Sequence, residues 1–272
     1  MDANVSIIVP TYNRRDVIPR AIKSILRQTY SAYEILVVDD GSTDDTAAVI
    51  NEMEDSRIRY IALKENKGAA HARNIGIQEA KCDYIAFLDS DDEWMPRKLE
   101  LQMKKMLNLS EEYGLTYCRM GGMCRDGKNR YTCPAPECPK GILEGDMFKV
   151  LLLQNVIGTP TVLARKACIE QAGGFKENLR CLEDWELFLR ISRNWRIGFV
   201  DKLLVEVHKS TGSVSTNMAW YLIARCYMVS LYRQDMLEFE MLDMIQSDIL
   251  QTAKRTNLYE ETKELLGREI EL

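Results

Sequence analysis

Nowhere in the chain does an unbroken apolar run approach the roughly 20 residues that a bilayer-spanning helix needs, so any membrane contact must be peripheral. An excess of positive charge is missing as well. The 36 Lys and Arg against 41 Asp and Glu leave a net charge of −5, which gives no pull toward nucleic acid. No basic stretch precedes the first apolar run. MDANVSIIVP therefore does not read as a secretion signal, and a cytoplasmic location is expected, with peripheral contact at the inner membrane face allowed. Histidine is scarce, at His71 and His208 alone. The eight cysteines show no C-x2-C spacing. Four of them fall between Cys118 and Cys138 without a zinc pattern, and they read as reduced thiols in core or loop rather than as a disulfide framework. There is no internal repeat and no low-complexity linker.

What is present first is alternation. VSIIVPT (5–11), YEILVVDD (33–40), RIRYIAL (57–63) and DYIAFLD (83–89) are continuous apolar strands. Between them lie helical patterns at 15–29, 44–54 and 68–80. Strands that are apolar throughout, alternating with helices, predict an α/β fold with a mostly parallel sheet covered on both faces. In such sheets ligands bind beyond the carboxyl ends of the strands. That puts Thr11-Tyr12-Asn13, Asp39-Asp40 and Asp89-Ser90-Asp91 on one rim.

After a helix over 96–113 the pattern loosens into a loop-rich, cysteine-bearing segment. Apolar patterning returns at 146–155, 161–175 and 183–194, followed by two strand-like runs, 196–202 and 203–209. From Met218 the chain has no glycine until Gly267 and reads as helical. This tail carries Trp220, Tyr221, Met228 and Leu231, and its expected roles are packing on the domain, self-association into a homo-oligomer, or contact with a membrane face.

The stretch FLDSDDEW (87–94) sets Asp89, Asp91, Asp92 and Glu93 directly behind a buried strand. Clustered like charges repel, so either a pKa rises or a cation arrives. A hard divalent ion with oxygen ligands answers the need, and Asp89 and Asp91 are the candidates for metal or substrate contact. Asp92 and Glu93 read as caps of the following helix. A calcium loop is excluded, because its required glycine is Trp94 and Pro96 interrupts it. A phospho-accepting receiver domain shares ILVVDD and a later strand-end aspartate. Against it, a strand and a helix precede the DD pair, and a second acidic motif follows.

VSIIVPTYNR, ILVVDDGSTDDT, KGAAHARNIGI and YIAFLDSDDEW, in this order, resemble the family 2 glycosyltransferases over about residues 4–100, with a weaker echo in GTPTVLARKACIEQAGGF and LEDWELFLRI. The resemblance implies a GT-A fold with a nucleotide-sugar-binding half (1–100), an acceptor-binding half (101–216) and a C-terminal helical extension (217–272). It implies an inverting, metal-dependent transfer from a nucleotide-diphosphate donor, a UDP-sugar, to a saccharide or lipid-linked saccharide, in surface polysaccharide assembly. Pro10, Thr11 and Tyr12 would then flank the base, with Tyr12 stacked on it. Asp39 would accept from the base imide. Arg73 would face the nucleotide side or pair with Asp39 or Asp89, two compatible roles. Asp89 and Ser90 would contact the donor, and Asp91 would hold Mn²⁺ or Mg²⁺. His208 would be a further ligand, one better suited to Mn²⁺. Lys209 to Thr216 would form a closing loop. In LEDW, Asp184 is the implied base and Glu183 orients the acceptor. Trp185 belongs partly to the core and partly to an acceptor wall. His71 reads as structural. A glycoside hydrolase using Asp91 and Asp184 as acid and base is the alternative.

Overall fold

The computed structural model describes residues 4–32, 34–123, 130–135, 143–208, 217–268 and 270; Tyr33, Cys124, Cys138 and the expected closing loop at 209–216 lie outside the described residues. Strands β1 (Val5–Thr11), β2 (Glu34–Asp39), β3 (Ile58–Ala62) and β4 (Tyr84–Phe87) run parallel, joined by helices α1 (Ile18–Leu26), α2 (Thr46–Asn51) and α3 (Ala69–Glu79). All seven fall where periodicity puts them.

The reason these strands are apolar at every position is visible in the packing. Successive side chains point to opposite faces of the sheet, and both faces are covered. Ile7, Val9, Ile35 and Val37 join Ile18 and Ile22 in one cluster, whereas Ile8 and Leu36 join Ala70 and Ile77 in the other. Burying each such side chain contributes about 1.5–3 kcal/mol. On the second face α3 closes tightly on β1: a Cβ at Gly76 would lie 2.5 Å from Ile8 Cγ2.

Five further strands complete the sheet: β5 (Glu93–Trp94), β6 (Tyr113–Met123), β7 (Arg130–Cys133), β8 (Leu163–Arg165) and β9 (Arg196–Val207). The order is β3-β2-β1-β4-β8-β6-β9-β5, with β7 paired to β6. β9 runs parallel to β6, while β5, β7 and β8 are antiparallel to their partners. Helices α4 (Lys98–Asn108), α5 (Phe148–Leu153), α6 (Lys166–Gln171) and α7 (Glu183–Ser192) flank this half.

Two expectations are corrected here. The segment read as loop-rich contains β6, an eleven-residue strand in the middle of the sheet. Its glycines mislead a local reading, because Gly122 is there for close approach: a Cβ would sit 2.4 Å from the Val207 carbonyl oxygen of β9. The two strand-like runs after Asn194 are one strand, β9, whose register against β6 shifts between Cys118 and Met120.

The tail forms α8 (Met218–Leu231), α9 (Arg233–Glu238), α10 (Leu242–Arg255) and α11 (Tyr259–Leu266). Leu222, Cys226 and Val229 of α8 and Ile245 and Ile249 of α10 enter the same core cluster as Trp185 and Leu187, so the tail packs on the domain. No helix among the described residues is long and apolar enough to cross a membrane.

One buried charge tests this packing. Lys98 is fully buried, with Nζ 3.9 Å from the Trp94 ring centre and 3.4 Å from the Val162 carbonyl oxygen. Burial outweighs these contacts and pulls its pKa down to about 8. The folded state thus binds fewer protons than the unfolded chain between about pH 8 and the ordinary lysine value of 10.5, and stability rises with pH across that window. Lys98→Met removes the penalty. It should raise stability by about 1–3 kcal/mol at pH 7, with a gain that shrinks by pH 10. Urea unfolding at the two pH values measures it.

Candidate active site

The chain steps from β1 to β2 and β3 on one side and to β4 on the other, so the strand order reverses at β1 and a crevice opens past the carboxyl ends. It measures about 780 Å³, and its walls include Gly68, Arg73, Asp89, Asp92, Thr159, Arg180, Glu183, Asp184, Val207 and Trp220. Two smaller hollows, one lined by Glu112, Asp146, Phe148 and residues 192–196 and the other by residues between Ile50 and Tyr60, lie away from this carboxylate cluster.

Arg73 organises the crevice. It projects from α3 with a side chain only 6% exposed. It donates to Asp89 Oδ1 at 2.7 Å and to Glu183 Oε1 at 2.8 Å. Its guanidinium also lies 5.4 Å from the Phe175 ring centre. Asp89 follows β4 and Glu183 opens α7, so one guanidinium ties the end of β4 to a helix that begins about ninety residues later. Of the two ion pairs expected for Arg73, the one to Asp89 forms.

Asp184 stands beside Glu183 in the first turn of α7. Its Oδ2 accepts a hydrogen bond from the Thr159 hydroxyl at 3.2 Å and its Oδ1 accepts from the Trp185 N–H at 2.7 Å. Burial, then the negative charge of Glu183, pushes its pKa up to about 6, while Arg73 opposes the rise. Trp185 itself is 3% exposed and donates its indole N–H to the Leu151 carbonyl. The structure therefore assigns Trp185 to the core and not to a crevice wall. As the third residue of α7 it turns to the packed side of the helix, away from Glu183 and Asp184.

Behind β4 the chain turns sharply, with Asp92 N–H donating to the Asp89 carbonyl at 3.0 Å. Asp92 does not cap a helix, contrary to the local reading. It is 4% exposed, and its Oδ1 accepts from the backbone N–H of His208 at 3.1 Å. Burial and the charges of Asp89 and Asp91 push its pKa up to about 8. Glu93 is no cap either, because Glu93–Trp94 pair with β9, a partner more than a hundred residues away that no local pattern reveals. The imidazole Nε2 of His208 lies 3.6 Å from Glu93 and makes no hydrogen bond. Asp91 faces Arg14 at 3.6 Å.

Pro10 and Thr11 end β1 beside Asp39 of β2, and the Thr11 hydroxyl is buried without a partner. Tyr12 is 43% exposed, and Ser90 is buried. These residues stand at the neighbouring strand ends and do not line the crevice itself. Asp39 and Asp40 diverge. Asp39 accepts from the Ser42 N–H and the Tyr60 hydroxyl, whereas Asp40 accepts from the N–H groups of Lys67 and Gly68 and fixes the turn into α3. His71 pairs with Glu177, the structural role expected of it. Tyr60, Arg180 and Trp220 escape a sequence reading because no motif holds them, and Thr159, although inside GTPTVLARK, gives no local sign of its bond to Asp184. Among the described residues Cys82, Cys118, Cys168, Cys181 and Cys226 are buried free thiols.

A mixed sheet of this order with an acid-lined crevice past its parallel strand ends defines a GT-A fold. The chain belongs to glycosyl transferase family 2, whose family model matches residues 6–141. It is 33% identical over 219 residues to a putative teichuronic acid biosynthesis glycosyltransferase, TuaG, of Bacillus subtilis, covering 78% of this chain and 82% of that one. To WfgD of Escherichia coli, a UDP-Glc:alpha-D-GlcNAc-diphosphoundecaprenol beta-1,3-glucosyltransferase, it is 48% identical over 115 residues, 42% of this chain and 46% of that one. The chain spans about a third of the length of the glycosyltransferases of Rickettsia felis, Rickettsia conorii and Rickettsia bellii that it matches; that of Rickettsia felis is 38% identical over 213 residues, covering 78% of this chain and 34% of its own. Among solved structures, S. aureus TarS in complex with UDP superposes with a TM-score of 0.64 at 22% identity, covering 84% of this chain and 64% of that one. The Pyrobaculum calidifontis mannosyltransferase PcManGT, in complex with GDP-Man and Mn²⁺, gives 0.63 at 16% identity, covering 100% and 77%.

Proposed function

We propose that this protein transfers a sugar from a UDP-sugar to a hydroxyl of a saccharide or lipid-linked saccharide, with inversion at the anomeric carbon, in surface polysaccharide assembly. The observation that carries the reading is the double grip of Arg73 on Asp89 and Glu183, which brings Asp184 into one crevice with the strand-end acids. WfgD, named for a UDP-glucose donor and a diphospholipid-linked GlcNAc acceptor, supports the donor and acceptor classes.

In this reading Asp184 is the base. The acceptor hydroxyl oxygen bonds to the anomeric carbon while the bond from that carbon to the diphosphate breaks. The electron pair leaves with UDP, and the hydroxyl proton passes to Asp184. Glu183, held by Arg73, orients the acceptor. Pro10, Thr11, Tyr12 and Asp39 receive the base, and Tyr60 fixes the Asp39 carboxylate. Asp89 and Ser90 contact the donor. Residues 1–100 act as the donor half and 101–216 as the acceptor half, with the extension from 217 lending Trp220 to the crevice.

Asp91 and His208 would hold a divalent ion. The donor set fits one: carboxylates gather at the turn, where burial first and then the charges of Asp89 and Asp91 raise the pKa of Asp92, and the buried His208 Nε2 lacks a hydrogen bond. Among the described residues no three acidic, His or Cys side chains form a closed cage. When bound, Mn²⁺ or Mg²⁺ stabilises the charge growing on the departing diphosphate.

The test is thermal unfolding with a panel of nucleotide sugars, with and without Mn²⁺. UDP-sugars that stabilise the protein more in the presence of Mn²⁺ support the reading. Indifference to every nucleotide, with or without the ion, overturns it.

A further inference from the structure

We infer that Arg180, laid across Trp220 in the crevice wall, is the seat for an anionic phosphate or diphosphate on the acceptor, an inference that rests on the transfer reading above. Three cations line the crevice, Lys67, Arg73 and Arg180. Arg73 is taken up by Asp89 and Glu183, and Lys67 reaches Glu65 at 2.9 Å. Among the described residues no carboxylate comes within ion-pair distance of Arg180; its contact is the Trp220 ring, whose centre lies 5.2 Å from the guanidinium carbon. A contact through the ring face holds the guanidinium in place and leaves its N–H donors unspent. Such a fork suits the paired oxygens of a phosphate. In a crevice otherwise rich in acids, an anion brought by a ligand finds here the cation that no protein carboxylate neutralises.

Position along the chain favours the acceptor over the donor. The donor contacts proposed above come from the ends of β1, β2 and β4. Arg180 lies instead on the segment leading into Glu183 and Asp184, and Trp220 comes from α8. Between Arg180 and Asp184 the backbone passes through Leu182 in the left-handed region, at φ 61°. A leucine there costs on the order of 1–2 kcal/mol and persists where the surroundings impose it. The turn keeps Arg180 and Asp184 on the same crevice, so an acceptor whose hydroxyl meets Asp184 has its phosphate within reach of Arg180.

Phosphate oxygens could instead come from the donor, and the experiment separates the two sources. The wild-type protein and Arg180→Ala and Arg180→Lys variants are first titrated with UDP and Mn²⁺, then, saturated with both, with geranyl diphosphate, followed by calorimetry. Expected is equal UDP affinity in all three, geranyl diphosphate binding to the wild type, binding at least tenfold weaker for Arg180→Ala, and an intermediate value for Arg180→Lys. Equal binding of geranyl diphosphate by wild type and Arg180→Ala, or none by the wild type, overturns the inference while UDP binding leaves the transferase reading standing. A tenfold loss of UDP affinity in Arg180→Ala assigns the cation to the donor and also overturns it. If the wild type binds no UDP, the transferase reading falls and takes this inference with it.

Discussion

Replacing Asp184 by Asn is expected to lower sugar transfer by about 10²–10⁴-fold while leaving UDP affinity within about twofold of wild type. The amide keeps the size of the carboxylate, can still accept the hydrogen bond from Thr159, and cannot take a proton. The loss therefore belongs in the rate of the chemical step and not in donor binding. The wild-type pH profile carries a second part of this prediction. Asp184 has its pKa pushed up to about 6, and only the ionised form can accept the acceptor proton. Transfer should fall about tenfold per pH unit below that value and level off above it. Single-turnover rates with a matched donor and acceptor measure both effects. A variant that keeps half the wild-type rate, or an acid limb that survives unchanged in the variant, removes Asp184 from the role of base.

Arg73→Met is the second large effect. A buried guanidinium that serves two carboxylates leaves both uncompensated when it is removed, and breaking a buried pair in this way costs about 3–5 kcal/mol. Urea unfolding should show a loss of that size. Surviving folded protein carries a further signature: Arg73 holds down the pKa of Asp184, so its removal should move the acid limb of transfer to higher pH. Arg73→Lys keeps the charge and cannot span Asp89 and Glu183 with a fork, so it should preserve the pH profile better than it preserves stability. A methionine variant as stable as wild type, with an unmoved profile, would show that the double ion pair contributes neither.

The sequence was legible where structure is local. β1 matches its apolar run residue for residue, and the next six elements follow within a few residues, because each is specified by its own periodicity and by Gly, Asp or Pro at its ends. Asp184 and Arg73 could be named because short motifs contain them. Asp92 could not be read correctly. Next to Asp91 it looks like one more solvated acid, and only β9, returning to pair with Glu93, buries it beneath the His208 N–H. Trp185 was legible in part: its core share is borne out at 3% exposure, while the rotation of α7 that turns it to the packed side is set by tertiary packing. Arg180 and Trp220 carry no motif at all, and they meet through the packing of the tail on the domain.

By itself the amino-acid order determined the alternating strands and helices and the acids at their ends, since hydrophobic period and turn chemistry act over a few residues. Which acids share a crevice, which of them is buried, and which cation meets an aromatic ring and, among the described residues, no carboxylate were decided by the tertiary structure. Charge and burial depend on neighbours brought together from distant parts of the chain, and no local stretch encodes them.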